Sequence, residues 1–391
     1  MLERIRTIVE KIHPSLIEIR RHFHRYPELS AKEYKTATYI AGILSSNGLK
    51  VREGVGKTGV VAELPGKGID NRILAIRTDM DALPILEQTD LEYASRYSGV
   101  MHACGHDIHA TVGVGTAIVL SQLDDEFPGK IRFLFQPAEE ILKGALWMIE
   151  DKVVENVTAI IGVHVYPSIV AGTIGIRYGS LTAAADFLDI EIIGKTADSG
   201  SPHESVDAVL VASQIILAIQ QAIRQINDPL KPVVVTIGTI EGGKGGNFVA
   251  DRVKLSGTVR SLYPVTRAAI PEKLERVIRQ ICQIYGAEYE FDYRLGVPSV
   301  RNNQELTNLL ETSSREALGD SQVQIIPDPS LGGEDFAHYL DYSPGTMFRL
   351  GVGYRDRKNY PLHHPKFEVN EEAIAAGVIA LAHTAYNFWK L

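Results

Sequence analysis

The segment "MHACGHDIHA" (residues 101–110) places His102, Cys104, His106, Asp107 and His109 within ten residues. A histidine serving only a core needs no such company. Imidazole and thiolate side chains bind divalent ions of the Zn²⁺ or Mn²⁺ kind. Further clusters supply the remaining donors: "RTDMDALP" after "ILAI", "QPAEE" after "IRFLF", "HVYP" after "AIIGV", and "YPLHHPKF" near the C-terminus. The candidate donors are Cys104, His106, His164, His363 and a carboxylate from Glu139 or Glu140. Two adjacent carboxylates can divide the work, one holding metal and the other taking a proton from water, as metal-assisted hydrolysis requires. Singly, each has a plainer reading: His164 a satisfied polar residue, Glu139 and Glu140 complements to a helix dipole, Cys104 a small buried side chain. Their grouping favours the site. His102, His109 and His364 stand beside it as supports; His22, His24, His338, His383 and Cys282 receive no role.

These clusters need a scaffold that brings strand ends to one rim. Apolar spacing predicts a helix over residues 1–25. A second helix follows in "SAKEYKTATYIAGILSSNG", with Ser30 and Glu33 at capping-box spacing and Gly48 as its stop. Strands "TGVVAEL", "RILAIRTD", "KIRFLFQP" and "TAIIGVHVY" then alternate with helices "DIHATVGVGTAIVLSQL" and "AEEILKGALWMIED". Short, continuously apolar strands imply a sheet covered on both faces, hence an α/β fold. In such sheets, sites form beyond the carboxyl ends of the strands. Near Ala183 the texture changes. "ADFLDIEIIG" alternates, and the order that follows is βαββαβ, the ferredoxin-like signature. The chain is thus read as a catalytic domain, residues 1–183 and 297–391, with a second domain inserted at 184–296.

The 391 residues exceed one ordinary core. Apolar content of 45% and charged content of 23% are those of a globular protein, and a net charge of −8 argues against nucleic acid or an anionic membrane as partner. Two distant cysteines offer no disulfide framework, no run approaches the ~20 apolar residues of a membrane span, and the N-terminus lacks a signal-peptide core. A cytoplasmic location is the expectation.

The motifs "RTDMDALP", "MHACGHDIH", "QPAEE", "GVHV", "GGEDF" and "PLHHPKF" resemble the M20 metallopeptidases, most closely the amidohydrolase branch of aminoacylases, hippurate hydrolases and auxin-conjugate hydrolases. The resemblance spans nearly the whole chain. It implies a di-metal, exopeptidase-like catalytic domain with a central mixed sheet covered by helices, and an inserted lid or dimerisation domain. It implies hydrolysis of N-acyl-L-amino acids by a metal-activated water, two divalent ions per subunit (Mn²⁺ or Zn²⁺, with Co²⁺ or Ni²⁺ also suitable), and a homodimer. By motif, Cys104, His106, Glu140, His164 and His363 are ligands, with the Cys104 thiolate bridging. Glu139 is the general base, and Asp79 orients a ligand. Asn247, Arg260, Asp198 and His203 of the inserted domain lie near the substrate. One position departs. Relatives begin "GKTADSGSPHESVD" with a histidine that reaches a neighbouring subunit's site and stabilises the oxyanion; here it is Asp198, with only His203 retained. An anion cannot serve an oxyanion. A weakly active or silent metal-binding homologue is therefore the competing reading, and a dipeptidase a third.

Overall fold

The computed structural model describes residues 1–123 and 127–391. By their internal contacts these form two compact units: Met1–Leu181 with Arg301–Asp328 and Asp335–Leu391, and Thr182–Val300 with Pro329–Glu334.

The first unit is built on an eight-stranded mixed sheet. In chain order its strands are β1 (Lys50–Val55), β2 (Gly59–Pro65), β3 (Ile73–Asp79), β4 (Lys130–Gln136), β5 (Ala159–Val170), β6 (Ile174–Ile176), β13 (Val323–Ile325) and β14 (Gly345–Gly353). A small ribbon, β7 (Gly179–Ser180) with β12 (Arg301–Asn302), accompanies it. The spatial order is β1-β2-β4-β3-β5-β14-β6-β13. The centre of the sheet, β4-β3-β5-β14, is parallel. β3 and β14 are buried along their whole length, which explains their unbroken apolar runs. Helices α1 (Leu2–Arg25), α3 (His106–Ser121) and α8 (Ala373–Phe388) pack against one another, and α7 (Gln304–Leu318) packs on α8. Every residue of α3 from His106 to Leu120 is buried, and its apolar members belong to the core.

Two local expectations give way. Helix α2 spans Tyr34–Ser46, with Glu33 as its N-cap and no side-chain cap bond. The capping box does not form because its members are engaged elsewhere: Ser30 donates to Asp81, and Glu33 accepts from Ala31, Thr58 and Ala138. The helix expected over "AEEILKGALWMIED" shrinks to α4, Gly144–Glu150. Ala138 and Leu142 have φ of 54° and 56°, incompatible with a right-handed helix, and turn the preceding segment into a tight loop. Gly144 closes that loop; a Cβ there would lie 1.6 Å from the Pro137 carbonyl oxygen.

The second unit reads β8 (Ala184–Ile193), α5 (Ala208–Ile226), β9 (Val233–Gly242), β10 (Arg252–Ser261), α6 (Pro264–Tyr285), β11 (Glu288–Val297). Its antiparallel sheet has the order β11-β8-β10-β9, so the fourth, first, third and second strands lie side by side. That is the ferredoxin-like arrangement. Asp207 caps α5 by accepting from Val209 and Leu210. The stretch Ala208–Gln225 is long and apolar enough to cross a membrane by composition, contrary to expectation. One face, Val211, Ala212, Ile215 and Ile219, is buried in the core of this unit. Pro329–Glu334 joins this unit through Ser330, whose carbonyl accepts from Ala183.

Candidate metal centre

The parallel ladder between β3 and β4 ends with Asp79 opposite Gln136, so the segments 80–81 and 137–140 leave the sheet at one rim. His164 lies on β5, paired with Arg349 of β14. α3 starts at the same rim, directly after Gly105. Gly105 has φ 80°, and a Cβ would meet Val165 Cγ2 at 2.5 Å, so glycine is required between Cys104 and His106. His363 enters from the loop after β14, where its N–H donates to the Ala103 carbonyl at 2.8 Å.

The donors converge. Cys104 Sγ lies 3.3 Å from His363 Nε2 and 3.6 Å from His164 Nε2. Glu140 Oε1 is 3.6 Å from His363 Nε2 and 3.8 Å from His106 Nε2. Glu139 Oε2 is 3.9 Å from His106 Nε2. Cys104 belongs to two donor groups, one with His106 and His164 and one with Glu140 and His363. Donors held about 2.0–2.3 Å from a tetrahedral ion lie about 3.3–3.8 Å apart, which matches these separations. Two buried atoms, His106 Nε2 and Glu140 Oε1, have no hydrogen-bond partner among the described residues. Orphans of this kind call for a partner the protein itself does not supply. The donor set therefore fits divalent metal.

Hydrogen bonds fix the tautomers. Asp81 Oδ1 accepts from His106 Nδ1 at 3.1 Å, leaving Nε2 for the cluster. The Val165 carbonyl accepts from His164 Nδ1 at 2.8 Å, which likewise turns Nε2 toward Cys104. His109 has no nitrogen to offer: Nε2 accepts the Val165 N–H at 2.7 Å, and Nδ1 donates to Asp79 at 2.5 Å. Asp79 also pairs with buried Arg77 at 2.8 Å and lies 3.8 Å from His106 Nδ1. The carboxylate that orients His106 is thus Asp81, absent from the sequence-derived set, whereas Asp79 orients His109.

Burial and mutual proximity shift the titration of these donors. Burial and the Glu140 charge push the Cys104 thiol well above its ordinary value. Burial, opposed by His106 but reinforced by Asp81, raises Glu140 to about 7. Burial, His109 and Arg349 hold His164 well below the histidine range, so its imidazole is neutral, as a ligand must be. Burial opposes the charge on Asp79, but His106, His109 and Arg77 keep it ionised. Behind α3, Arg20 and His24 of α1 both bind Asp107, at 2.9 and 2.8 Å.

The remaining predicted residues belong to the second unit. Asp198 is exposed, forms a bridge with Phe248, and accepts from Gly200 at 2.9 Å. The Asn247 carbonyl accepts from Ser199, so Asn247 adjoins the Asp198 turn. His203 is exposed, with Nε2 4.0 Å from Glu204. Arg260 lies on β10 opposite Ala185 and Val234, and burial lowers its pKa.

The profile of peptidase family M20/M25/M40 matches residues 75–387. The Synechocystis protein named "Probable hydrolase sll0100" is 56% identical over 99% of this chain and 98% of its own. N-acetyl-L-cysteine deacetylase of Bacillus subtilis is 39% identical over 93% of this chain and 85% of its own. Among solved structures, the Bacillus subtilis YXEP protein, named a dinuclear metal binding peptidase from the M20 family, superposes with a TM-score of 0.85 at 36% identity, covering 97% of this chain and 99% of its own. The α/β scaffold, the convergent metal-type donors and these likenesses agree: the chain is a hydrolase of the M20 peptidase family.

Proposed function

We propose that this chain is a metal-dependent amidohydrolase that cleaves the amide bond of N-acyl-L-amino acids. The carrying observation is the placement of two adjacent carboxylates, Glu139 and Glu140, within 3.9 and 3.8 Å of the same unpartnered His106 nitrogen. In this reading Cys104, His106, Glu140, His164 and His363 would hold two divalent ions, and Cys104 belongs to both donor groups. One thiolate, imidazoles and a carboxylate suit Zn²⁺ or Mn²⁺. Bound ions supply Lewis acidity, which lowers the pKa of water and polarises an amide carbonyl.

The chain's own residues carry the proton. Glu139 accepts it from the attacking water on a carboxylate oxygen and delivers it to the amine nitrogen as the amide bond breaks. The products are a carboxylic acid and an amino acid. Asp81 keeps the proton of His106 on Nδ1, and the Val165 carbonyl does the same for His164, so both Nε2 lone pairs stay available. The amino-acid class of the leaving group is supported by the B. subtilis deacetylase named for N-acetyl-L-cysteine. The two cysteines, both buried and unbridged, fit a reducing cytoplasm.

The second unit serves as lid and dimerisation surface. Its edge strand β9 exposes Val234 and Ile240, and α5 exposes Val209, Leu210 and Leu217, a surface suited to a second copy. Asp198 favours a second reading, a metal-binding homologue of low turnover, because its exposed carboxylate would oppose an oxyanion.

The test is hydrolysis of N-acetyl, N-benzoyl and indole-acyl amino acids with Mn²⁺, Zn²⁺, Co²⁺ or Ni²⁺ added. Glu139→Gln should keep metal and lose at least ~10²-fold in rate, whereas Glu140→Gln should lose metal affinity. Absence of turnover on every substrate in stoichiometrically loaded protein would leave the low-turnover reading. Absence of stoichiometric metal under every loading condition would sink the site.

A further inference from the structure

Seven described non-glycine residues have left-handed backbones: Ala31, Lys57, Ala138, Leu142, Lys152, Asn156 and His363. Such conformations are uncommon for residues with a Cβ and persist where the surroundings enforce them. Two of the seven share one acceptor. Glu33 Oε1 receives the N–H of Ala31 (φ 63°) at 2.9 Å and the N–H of Ala138 (φ 54°) at 2.9 Å. Glu33 Oε2 receives the Thr58 hydroxyl at 2.5 Å. The carboxylate is fully buried. Three loops, 29–33, 56–58 and 137–142, therefore meet on one side chain. Ala138 immediately precedes Glu139 and Glu140, and the loop is tied again where Asp81 Oδ2 accepts the Glu140 N–H at 3.1 Å.

We propose that Glu33 is a positioning residue: it clamps Ala138 in the left-handed conformation and thereby aims Glu139 and Glu140 into the donor cluster. The clamp is geometric and acts through backbone, since Glu33 is itself no donor to the cluster. It deepens the reading above, because the roles of Glu139 and Glu140 rest on that reading. If Ala138 were released to a right-handed or extended backbone, the direction of the chain at 139 would change, and the Glu140 N–H would leave Asp81.

The clamp predicts a specific rescue. Glycine adopts the left-handed region without the Cβ penalty, so A138G lowers the cost of the conformation that Glu33 enforces. Four proteins are compared with the wild type: E33A, E33Q, A138G and E33A/A138G. Amide hydrogen exchange across residues 137–143 is followed in metal-free protein, and Mn²⁺ affinity by titration calorimetry. In E33A, exchange at 137–143 should rise at least tenfold, and Mn²⁺ affinity should fall about 10–100-fold, the range for groups that orient ligands. E33Q keeps a carbonyl oxygen able to accept both N–H groups and should stay within threefold of wild type. E33A/A138G should regain about tenfold in affinity over E33A, which a general loss of packing would not return. If E33A does not fold, E33D and E33D/A138G decide by the same criteria, since the shorter side chain cannot reach both amides. Unchanged exchange and affinity in E33A, or a loss that A138G does not recover, overturns the clamp. A wild type that binds no Mn²⁺ refutes the site reading instead, and the exchange measurement then still judges the clamp by itself.

Discussion

Asp81 accepts the Nδ1 proton of His106 at 3.1 Å, and its other oxygen takes the Ser30 hydroxyl at 2.7 Å and the Glu140 N–H at 3.1 Å. One carboxylate thus sets the ring of a candidate ligand and the backbone of its neighbour. Asp81→Asn, which can present its amide nitrogen instead of an oxygen to His106, should lower divalent-metal affinity about 10–100-fold. Asp79→Asn should cost less affinity, because Asp79 serves His109. Calorimetric titration of both variants checks the order; a larger loss for Asp79→Asn would reverse the assignment.

The charge at Asp198 tests the substrate side. Losing a single oxyanion donor costs about 10²–10³ in turnover. Asp198→His should raise kcat on N-acyl amino acids at least ~10-fold, with metal content unchanged. Asp198→Ala should give a smaller gain. No gain from the histidine variant, with metal and assembly intact, rejects the repair.

Assembly should depend on α5. Leu210 and Leu217 lie two turns apart on its exposed side, and Leu217 is 57% exposed. The wild type should sediment as a dimer at micromolar concentration and Leu217→Asp as a monomer. A monomeric wild type would remove the dimer from the reading.

His24 offers a pH dependence away from the donors. Its Nδ1 lies 2.8 Å from Asp107, its Nε2 3.2 Å from Glu87, and Arg20 Nη2 3.3 Å from Nδ1; the Tyr93 ring packs against it. Burial and Arg20 disfavour the imidazolium, yet the two carboxylates prevail and raise its pKa above the ordinary 6.5. A pKa raised by folding stabilises the native state fully below the unfolded value, and that stability is lost as pH rises through the native value. The stability gap between wild type and His24→Gln, from urea unfolding in chelator, should therefore be widest below pH 6.5 and narrow on raising the pH. A gap that widens with pH would contradict the charged His24.

The rim was legible because parallel strands deliver their carboxyl ends to one edge, so "RTDMDALP", "QPAEE" and "GVHV" had to meet. The choice between Asp79 and Asp81 was harder, since residues i and i+2 of an extended stretch share one face. Chain direction decides it. β3 runs toward the rim and α3 runs away from it, so the later aspartate meets the earlier histidine: Asp81 with His106, Asp79 with His109. That signal was present in the sequence. The role of Glu33 was not, because its partners at positions 58 and 138 are joined only by tertiary structure. Capping-box spacing was a local pattern overridden by these distant donors.

Cys104 and His164 are each 6% exposed and His106 is fully buried, whereas the His363 side chain is 54% exposed and rides on a left-handed loop residue. Under the proposed reading, hold and access would reside in different places: the three interior side chains would govern how tightly an ion is kept, and the exposed His363 how fast it is traded with solvent. Two ions of equal affinity would then differ in lifetime according to how strongly each bonds a single imidazole.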